Sequence, residues 1–381
     1  MNLVTLLQPP RIVIGDGCAP HCAEFLAQRG VKRVLLVSST PVLPTLGGVL
    51  EALKKTGVAV VSALAIDREP TRELFEQVLA VARKENIEGV LGIGGGSAID
   101  VAKLVAALTH GKQTASEVFG INLLASRALP LVCLPTTSGT GAEVSPNAIL
   151  LDEADELKKG VVSPHLVPDA AFIDPLLTLT VPPAVTAATG LDALTHCIEA
   201  FANKFAHPAV DVYALQGIRL IAANLERAVR NGQDTEARAN MALASFYGGL
   251  CLGPVNTAAV HALAYPLGGR FHVAHGVSNA VLLPHVLRFN LPAAPERYAE
   301  VAVALGLSRN GSAESTAEHG LEFLSQLSKR CGVPQRMSEL GVPREAIPAM
   351  AKAAMQVTRL LKNNLRTLSE HDGIQIYEAA H

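Results

Sequence analysis

What most constrains the fold is a change of pattern around Asp174–Pro183. Before it, short apolar runs alternate with amphipathic stretches. Strand-like Arg11–Ile14, Val34–Val37, Val58–Leu64, Gly89–Ile93 and Leu129–Leu134 are separated by helix-like Ala23–Arg29, Thr45–Lys55, Thr71–Glu85 and Ala98–Leu108. Strands alternating with helices predict βαβ units and a mostly parallel sheet. After the change, helix-like segments rich in alanine and leucine follow one another, with few β-branched runs. Pro183–Phe201, Pro208–Asn231, Asp234–Leu252 and Thr257–Leu267 are the clearest; Val281–Arg288, Pro295–Ala304, Ser315–Cys331 and Arg344–Thr358 continue the theme. Helix after helix predicts an all-α domain. The expectation is an α/β domain over residues 1–178 and a helical domain over 179–381, with the boundary between residues 175 and 182.

Length agrees: 381 residues exceed what one ordinary core serves, and 49% apolar residues can fill two. The formal net charge is −2 without any lysine- or arginine-rich block, Trp is absent and aromatics are 4%. A nucleic-acid surface needs clustered positive charge or stacking platforms, so that partner class is set aside. Cys18, Cys22, Cys133, Cys197, Cys251 and Cys331 are scattered, without the paired spacing of a zinc site, and read as buried thiols of a reducing compartment. The opening MNLVTLLQPPRIVIGDG lacks the basic flank, longer apolar core and cleavage site of a signal peptide. No apolar run reaches the roughly 18 residues that span a membrane. A soluble, cytoplasmic protein with no membrane partner is expected.

Two loops of the first half could hold phosphates. Strand Gly89–Ile93 runs into Gly94-Gly95-Gly96-Ser97 and then a helix carrying Asp100 and Lys103. Glycine lets the backbone approach an anion, and amides at a helix start carry partial positive charge. The run is neither a GxGxxG fingerprint nor a P-loop, and alone it also reads as a tight turn. The next strand ends in Pro135-Thr136-Thr137-Ser138-Gly139-Thr140-Gly141, rich in hydroxyl and amide donors, which alone reads as a polar turn. In a parallel sheet both loops emerge at carboxyl ends of strands, where ligands bind.

The second half concentrates potential metal ligands in two pairs. Asp192 and His196 lie in GLDALTHCIEAF; His261 and His275 lie in VHALAYPLGGRFHVAHGVSN. Residues four apart share a helix face, so Asp192 and His196 can point at one ion. A lone His among Ala, Leu and Val is more often a hydrogen-bonded core residue. Two pairs among apolar residues alter that balance, because buried charge needs compensation. Three imidazoles and a carboxylate suit a divalent transition metal such as Fe(II) or Zn(II), with any open position left for a substrate oxygen.

With these stretches together, the sequence resembles the iron-containing (metal-dependent) alcohol dehydrogenase family. The matching motifs are GGGSAIDVAK (Gly94–Lys103), PTTSGTGAEVS (Pro135–Ser145), GLDALTHCIEAF (Gly190–Phe201) and HALAYPLGGRFHVAHGVSNAVLLPHVLRFN (His261–Asn290). The resemblance implies a Rossmann-like N-terminal domain, a helical C-terminal domain, a cleft between them, and a homodimer formed through the N-terminal domain. It implies Fe(2+) or Zn(2+) on Asp192, His196, His261 and His275. It also implies NAD or NADP on Gly94, Gly95, Gly96, Ser97, Asp100, Thr136, Thr137, Ser138 and Thr140. The expected reaction passes a hydride between that cofactor and an alcohol, aldehyde or ketone whose oxygen the metal polarises.

The chain departs from the family in two places. Many members carry a further His four residues after the third ligand, where this chain has Tyr265; the expectation is that either Tyr265 or the nearby His272 orders a water that carries the proton out, or Tyr265 only packs against nicotinamide. NAD-preferring members often carry Asp where the strand Val34–Val37 gives way to Ser39, so a 2′-phosphate is not repelled there, and Arg68 and Lys32 are too loosely placed to decide. Arg270 is a candidate partner for a substrate carboxylate, which points to a hydroxy or oxo acid. Maleylacetate-reductase-like or hydroxyacid–oxoacid transhydrogenase-like activity is the main competitor within the class. A metal-dependent hydrolase or lyase is the rival outside it, and a binding protein with a degenerate site is weak because all four ligand positions are filled.

Overall fold

Strands with apolar residues on both sides leave no face for water, and such strands form parallel sheets covered on both faces. The computed structural model, which describes residues 3–63, 66–153 and 157–381, follows this rule. Strands β1 (Arg11–Ile14), β2 (Arg33–Val37), β3 (Ala59–Ser62), β4 (Gly89–Gly94), β5 (Gly120–Ile121), β6 (Leu131–Pro135), β7 (Asn147–Asp152), β8 (Leu157–Val162) and β9 (Ala170–Ile173) alternate with helices α1 (Cys22–Gln28), α2 (Gly47–Lys55), α3 (Arg72–Lys84), α4 (Gly96–Leu108) and α5 (Ala115–Val118). Leu64, the end of one expected strand, lies outside the described residues. Six strands make one wholly parallel sheet in the order β1-β9-β6-β4-β2-β3. Alternate residues divide its faces. Val34, Leu36, Leu91, Ile93, Val132 and Leu134 pack with α1 and α2, whereas Leu35, Val37, Val90, Leu131 and Cys133 pack with α3 and α4.

Chain order reverses between β2 and β4, because β3 pairs on one side of β2 and β4 on the other. At such a switch point the loops diverge and open a crevice beyond the carboxyl ends of the strands. Glycine serves packing there: a Cβ at Gly92 or Gly94 would come within 2.7 Å of Ala102 Cβ or Ala98 Cβ on α4. A second sheet, β5-β8-β7, was not expected from the sequence. Its β7–β8 pair is antiparallel, and β8 carries Lys158 and Lys159, which mask a strand pattern. Both lysines find carboxylates, on Glu69 and Asp152.

The remaining helices are α6 (Pro183–Phe201), α7 (Pro208–Arg230), α8 (Thr235–Leu252), α9 (Ala259–Phe271), α10 (His275–Asn290), α11 (Pro295–Ala304), α12 (Ala313–Arg330), α13 (Ile347–Ala354), α14 (Thr358–Leu361) and α15 (Glu370–Ala380). Helix α6 is buried almost all round from Thr186 onward and packs against α7, α8 and α10, which makes it the central rod of a helical unit. Helices α9 and α10 contain prolines, Pro266 and Pro284, as the expected segments did, but α9 continues past Leu267 to Phe271 and α10 begins at His275 rather than Val281. Burial of both faces overrides the local breaker signal. By internal contacts the chain forms two compact units. One comprises Leu7–Thr137 with Gly141–Thr180; the other comprises Val181–His381 with Ser138–Thr140 and the residues up to Leu6. No helix among the described residues is long and apolar enough to cross a membrane.

Candidate active site

In the α/β unit, Gly94 ends β4 and pairs with Pro135 at the end of β6, so the two expected loops leave neighbouring strands side by side. The Thr136 amide donates to the Gly94 carbonyl at 2.9 Å, and a Cβ on Gly95 would lie 3.4 Å from Thr137 Oγ1. Gly95 caps α4 in an extended conformation without any side-chain cap, which leaves the amides of Gly96 and Ser97 to an outside acceptor. Ser38 and half-buried Ser39 follow β2, next to β4. Ser138 and Thr140 belong with the helical unit.

Asp100 has a structural partner. Its Oδ2 accepts from the Ile149 amide at 3.0 Å, while Lys103 Nζ donates to the carbonyls of Ser145 and Asn147 at 2.7 and 2.8 Å. Together they fasten α4 to the start of β7. One carboxylate near the end of β2 was not anticipated. Asp67, beyond β3, accepts from the Thr40 amide at 2.7 Å and from Thr40 Oγ1 at 2.6 Å. These bonds hold its carboxyl below the ordinary range.

In the helical unit, Asp192 and His196 project from one face of α6, His261 from the first turn of α9, and His275 from the first position of α10. His272, in the left-handed conformation with φ +54°, closes α9 and turns the chain back within three residues, which returns His275 to His261. Their ring centroids are 5.2 Å apart, and those of His196 and His261 stack at 4.8 Å. The approach of α10 to α6 depends on Gly276, where a Cβ would fall 2.1 Å from the Ala188 carbonyl oxygen.

One ligand atom from each of the four residues lies within 4.8 Å of every other. Asp192 Oδ1 is 3.5 Å from His261 Nε2, 3.6 Å from His275 Nε2 and 3.8 Å from His196 Nε2. Tetrahedral bonds of about 2.0–2.2 Å set ligand atoms about 3.3–3.6 Å apart, so the Asp192 distances already suit one divalent ion, while the widest spacing, up to 4.8 Å, must contract by about 1 Å. Burial disfavours a charge on Asp192, yet His196 and His275 foremost, then His261, hold its carboxyl far below the usual range. Burial also lowers His196, more than Asp192 raises it. His261 goes the other way: against burial, its bonds with Asp192 and Glu199 raise it to about 9.

Glu199 and Asn279 escaped the sequence reading. Glu199 Oε2 lies 2.6 Å from His261 Nδ1, and its Oε1 accepts from the Val260 amide at 2.7 Å. This holds the proton on Nδ1, so that when the raised imidazolium gives up its other proton Nε2 becomes the lone-pair donor, the usual device for orienting a ligating imidazole. Asn279 Nδ2 donates to Asp192 Oδ1 at 2.7 Å and lies 3.1 and 3.3 Å from Nε2 of His261 and His275. A signal existed for both. Glu199 is three residues after His196, and Asn279 four after His275, each on its ligand's helix face.

Tyr265, one turn beyond His261, is 5% exposed and packs 6.3 Å from the His275 ring, measured between centroids. Its hydroxyl accepts from Arg359 Nη2 at 2.8 Å. His272 and Arg270 are both exposed, Arg270 in the last turn of α9.

Comparison with known proteins agrees with this geometry. Residues 9–175 match the model of the iron-containing alcohol dehydrogenase family, and residues 186–381 match that of the C-terminal domain of the Fe-containing alcohol dehydrogenase family. The chain is 38% identical over 387 residues to long-chain-alcohol dehydrogenase 1 of Geobacillus thermodenitrificans (strain NG80-2), covering all of this chain and 97% of that one. It is 33% identical over 376 residues to the NAD-dependent methanol dehydrogenase of Bacillus methanolicus, covering 98% of each. A crystal structure of 1,3-propanediol oxidoreductase superposes with a TM-score of 0.96 at 34% identity, over the whole of both chains. The chain therefore belongs to the iron-containing alcohol dehydrogenase family.

Proposed function

We infer that this protein is a metal-dependent alcohol oxidoreductase that moves a hydride between NAD and an alcohol or aldehyde. The observation that carries the reading is the convergence of Asp192, His196, His261 and His275 within a chain of this family. When bound, a divalent ion would supply Lewis acidity to the substrate oxygen, and the nicotinamide would supply the hydride acceptor. Asp192 contributes the charge that neutralises a cation, and the imidazoles contribute neutral donors. Glu199 keeps His261 in the correct tautomer, and Asn279 orients the Asp192 oxygen. Backbone amides at Gly96 and Ser97, with the hydroxyl of Thr137, suit the pyrophosphate.

Fe(II) is the ion we favour from the family, and Zn(II) fits the same donor set. NAD is favoured over NADP, because the Asp67 carboxylate, bonded to Thr40 just beyond β2, would repel a 2′-phosphate bound there and the methanol dehydrogenase relative is NAD-dependent. We also propose a cytoplasmic homodimer, to be checked by fractionation and light scattering. Tyr265 is proposed to order the water that takes the hydroxyl proton, with exposed His272 as the next acceptor. Tyr265→Phe should alter the pH–rate profile, and an unchanged profile removes that role. The reading as a whole is tested by reconstituting the protein with Fe(II) or Zn(II) and following nicotinamide absorbance with primary alcohols. Turnover that needs no dinucleotide would establish a hydrolase or lyase instead.

A further inference from the structure

We propose that Arg359 selects an anionic substrate, a short ω-hydroxy acid or the corresponding oxo acid, by receiving its carboxylate beside the metal-binding cluster. The proposal deepens the dehydrogenase reading and rests on it. Three of the four ligand side chains are closed off, at 2%, 6% and 4% exposure for Asp192, His196 and His261, whereas His275 is 30% exposed. A substrate oxygen therefore approaches from the His275 side. Tyr265 packs on that side, and the Arg359 guanidinium lies 5.8 Å from the centroid of the Tyr265 ring.

Arg359 is half-buried, and its only hydrogen bond among the described residues goes to a neutral phenol. None of the described carboxylates pairs with it. A guanidinium offers five N–H donors in a planar fork, so most of this one remains available to a carboxylate. Buried Ala262, Tyr265 and Leu360 form an apolar cluster, and only the partly buried Val357 and Leu361 packed against it offer apolar surface. A charged head held against Tyr265, whose ring neighbours the more exposed ligand His275, is how a site recognises a chain that is anionic at one end and an alcohol at the other.

The test compares 3-hydroxypropionate with 1,3-propanediol, which differ in one terminal group. On the metal-loaded protein with NAD, the acid should have the higher kcat/KM. Arg359→Ala should lower the acid-to-diol ratio by about 10–100-fold, the worth of charge-assisted bonds, and Arg359→Lys should restore part of it. Tyr265→Phe should keep the ratio within about threefold. Calorimetric titration of 3-hydroxypropionate into each protein reads the same contact without turnover. If no alcohol or acid is oxidised, the dehydrogenase reading fails, while the titration still decides on Arg359. The proposal is overturned by equal acid binding in the wild type and Arg359→Ala. It is equally overturned by a wild type that rejects the acid, or by Tyr265→Phe losing the preference as fully as Arg359→Ala.

Discussion

In the α/β unit, the groups proposed to receive a dinucleotide are mostly backbone: the Gly96 and Ser97 amides at the start of α4, beside the turn at Thr136. In the helical unit, every group offered to an ion is a side chain, drawn from three helices and fixed by further side chains. A backbone site survives any substitution that keeps its turn, because its donors belong to every residue type except proline. A side-chain site fails with one residue, because neutral or misplaced donors leave buried charge uncompensated. The two units should therefore answer mutation on different scales.

The largest effect is expected at Asp192, the one carboxylate among the four proposed ligands. Asp192→Ala should abolish stoichiometric metal binding and lower kcat/KM by more than about 1,000-fold, the scale of losing a Lewis acid. Metal analysis of the purified variant alongside its rates is the check. Retained metal would break the comparison at its base. Glu199→Gln comes next. It keeps the shape but weakens the hold on His261 Nδ1, and loss of such a partner typically costs about 10–100-fold in metal affinity. A competitive chelator titration measures this, and unchanged affinity would mean that Glu199 serves only the start of α9 through the Val260 amide.

The unequal legibility of the two units has the same origin. The alternating half and the helical half were visible because periodicity is local, and Arg11–Ile14, Pro183–Phe201 and Pro295–Ala304 even fall at the expected bounds. The four ligand candidates were visible because His and Asp stand out in apolar helices. What stayed hidden was pairing at long range. Glu199 meets His261 across 62 positions, Asn279 meets Asp192 across 87, and Arg359 meets Tyr265 across 94. No periodicity encodes such meetings. The β7–β8 hairpin was missed because its lysines are satisfied by Glu69 and Asp152, partners that only the fold supplies. Helix α10 was read too short because the turn that carries His275 looks like a loop, whereas the helix starts at His275 itself.

A smaller effect is expected in the α/β unit. Asp67 is exposed and acts on a 2′-phosphate only by charge and position, screened by water. Asp67→Ala should lower the NAD-to-NADP ratio of kcat/KM by about 3–10-fold while metal content stays full. A ratio that does not move would assign Asp67 to the Thr40 turn alone.

Smallest of all, and a stability effect only, is the response of Glu143 in the threonine-rich loop. Burial raises its carboxyl from the ordinary 4.5 to about 7, against its own backbone hydrogen bond and the attraction of Lys103. The folded chain therefore holds a proton between pH 4.5 and 7 that the unfolded chain has released. Stability from this group is full below about pH 4.5, falls as pH rises towards 7, and is flat above. Glutamine mimics the protonated acid at every pH. The melting temperature of Glu143→Gln should equal that of the wild type near pH 4.5 and exceed it at pH 8, by the few degrees that about 2–3 kcal/mol represents in a chain of this size. A gap that stays constant with pH, or one in which the variant melts lower at pH 8, would mean that the folded state keeps Glu143 ionised. The loop would then be anchored by a charge, and the contrast between a backbone-built unit and a charge-built one would weaken at this position.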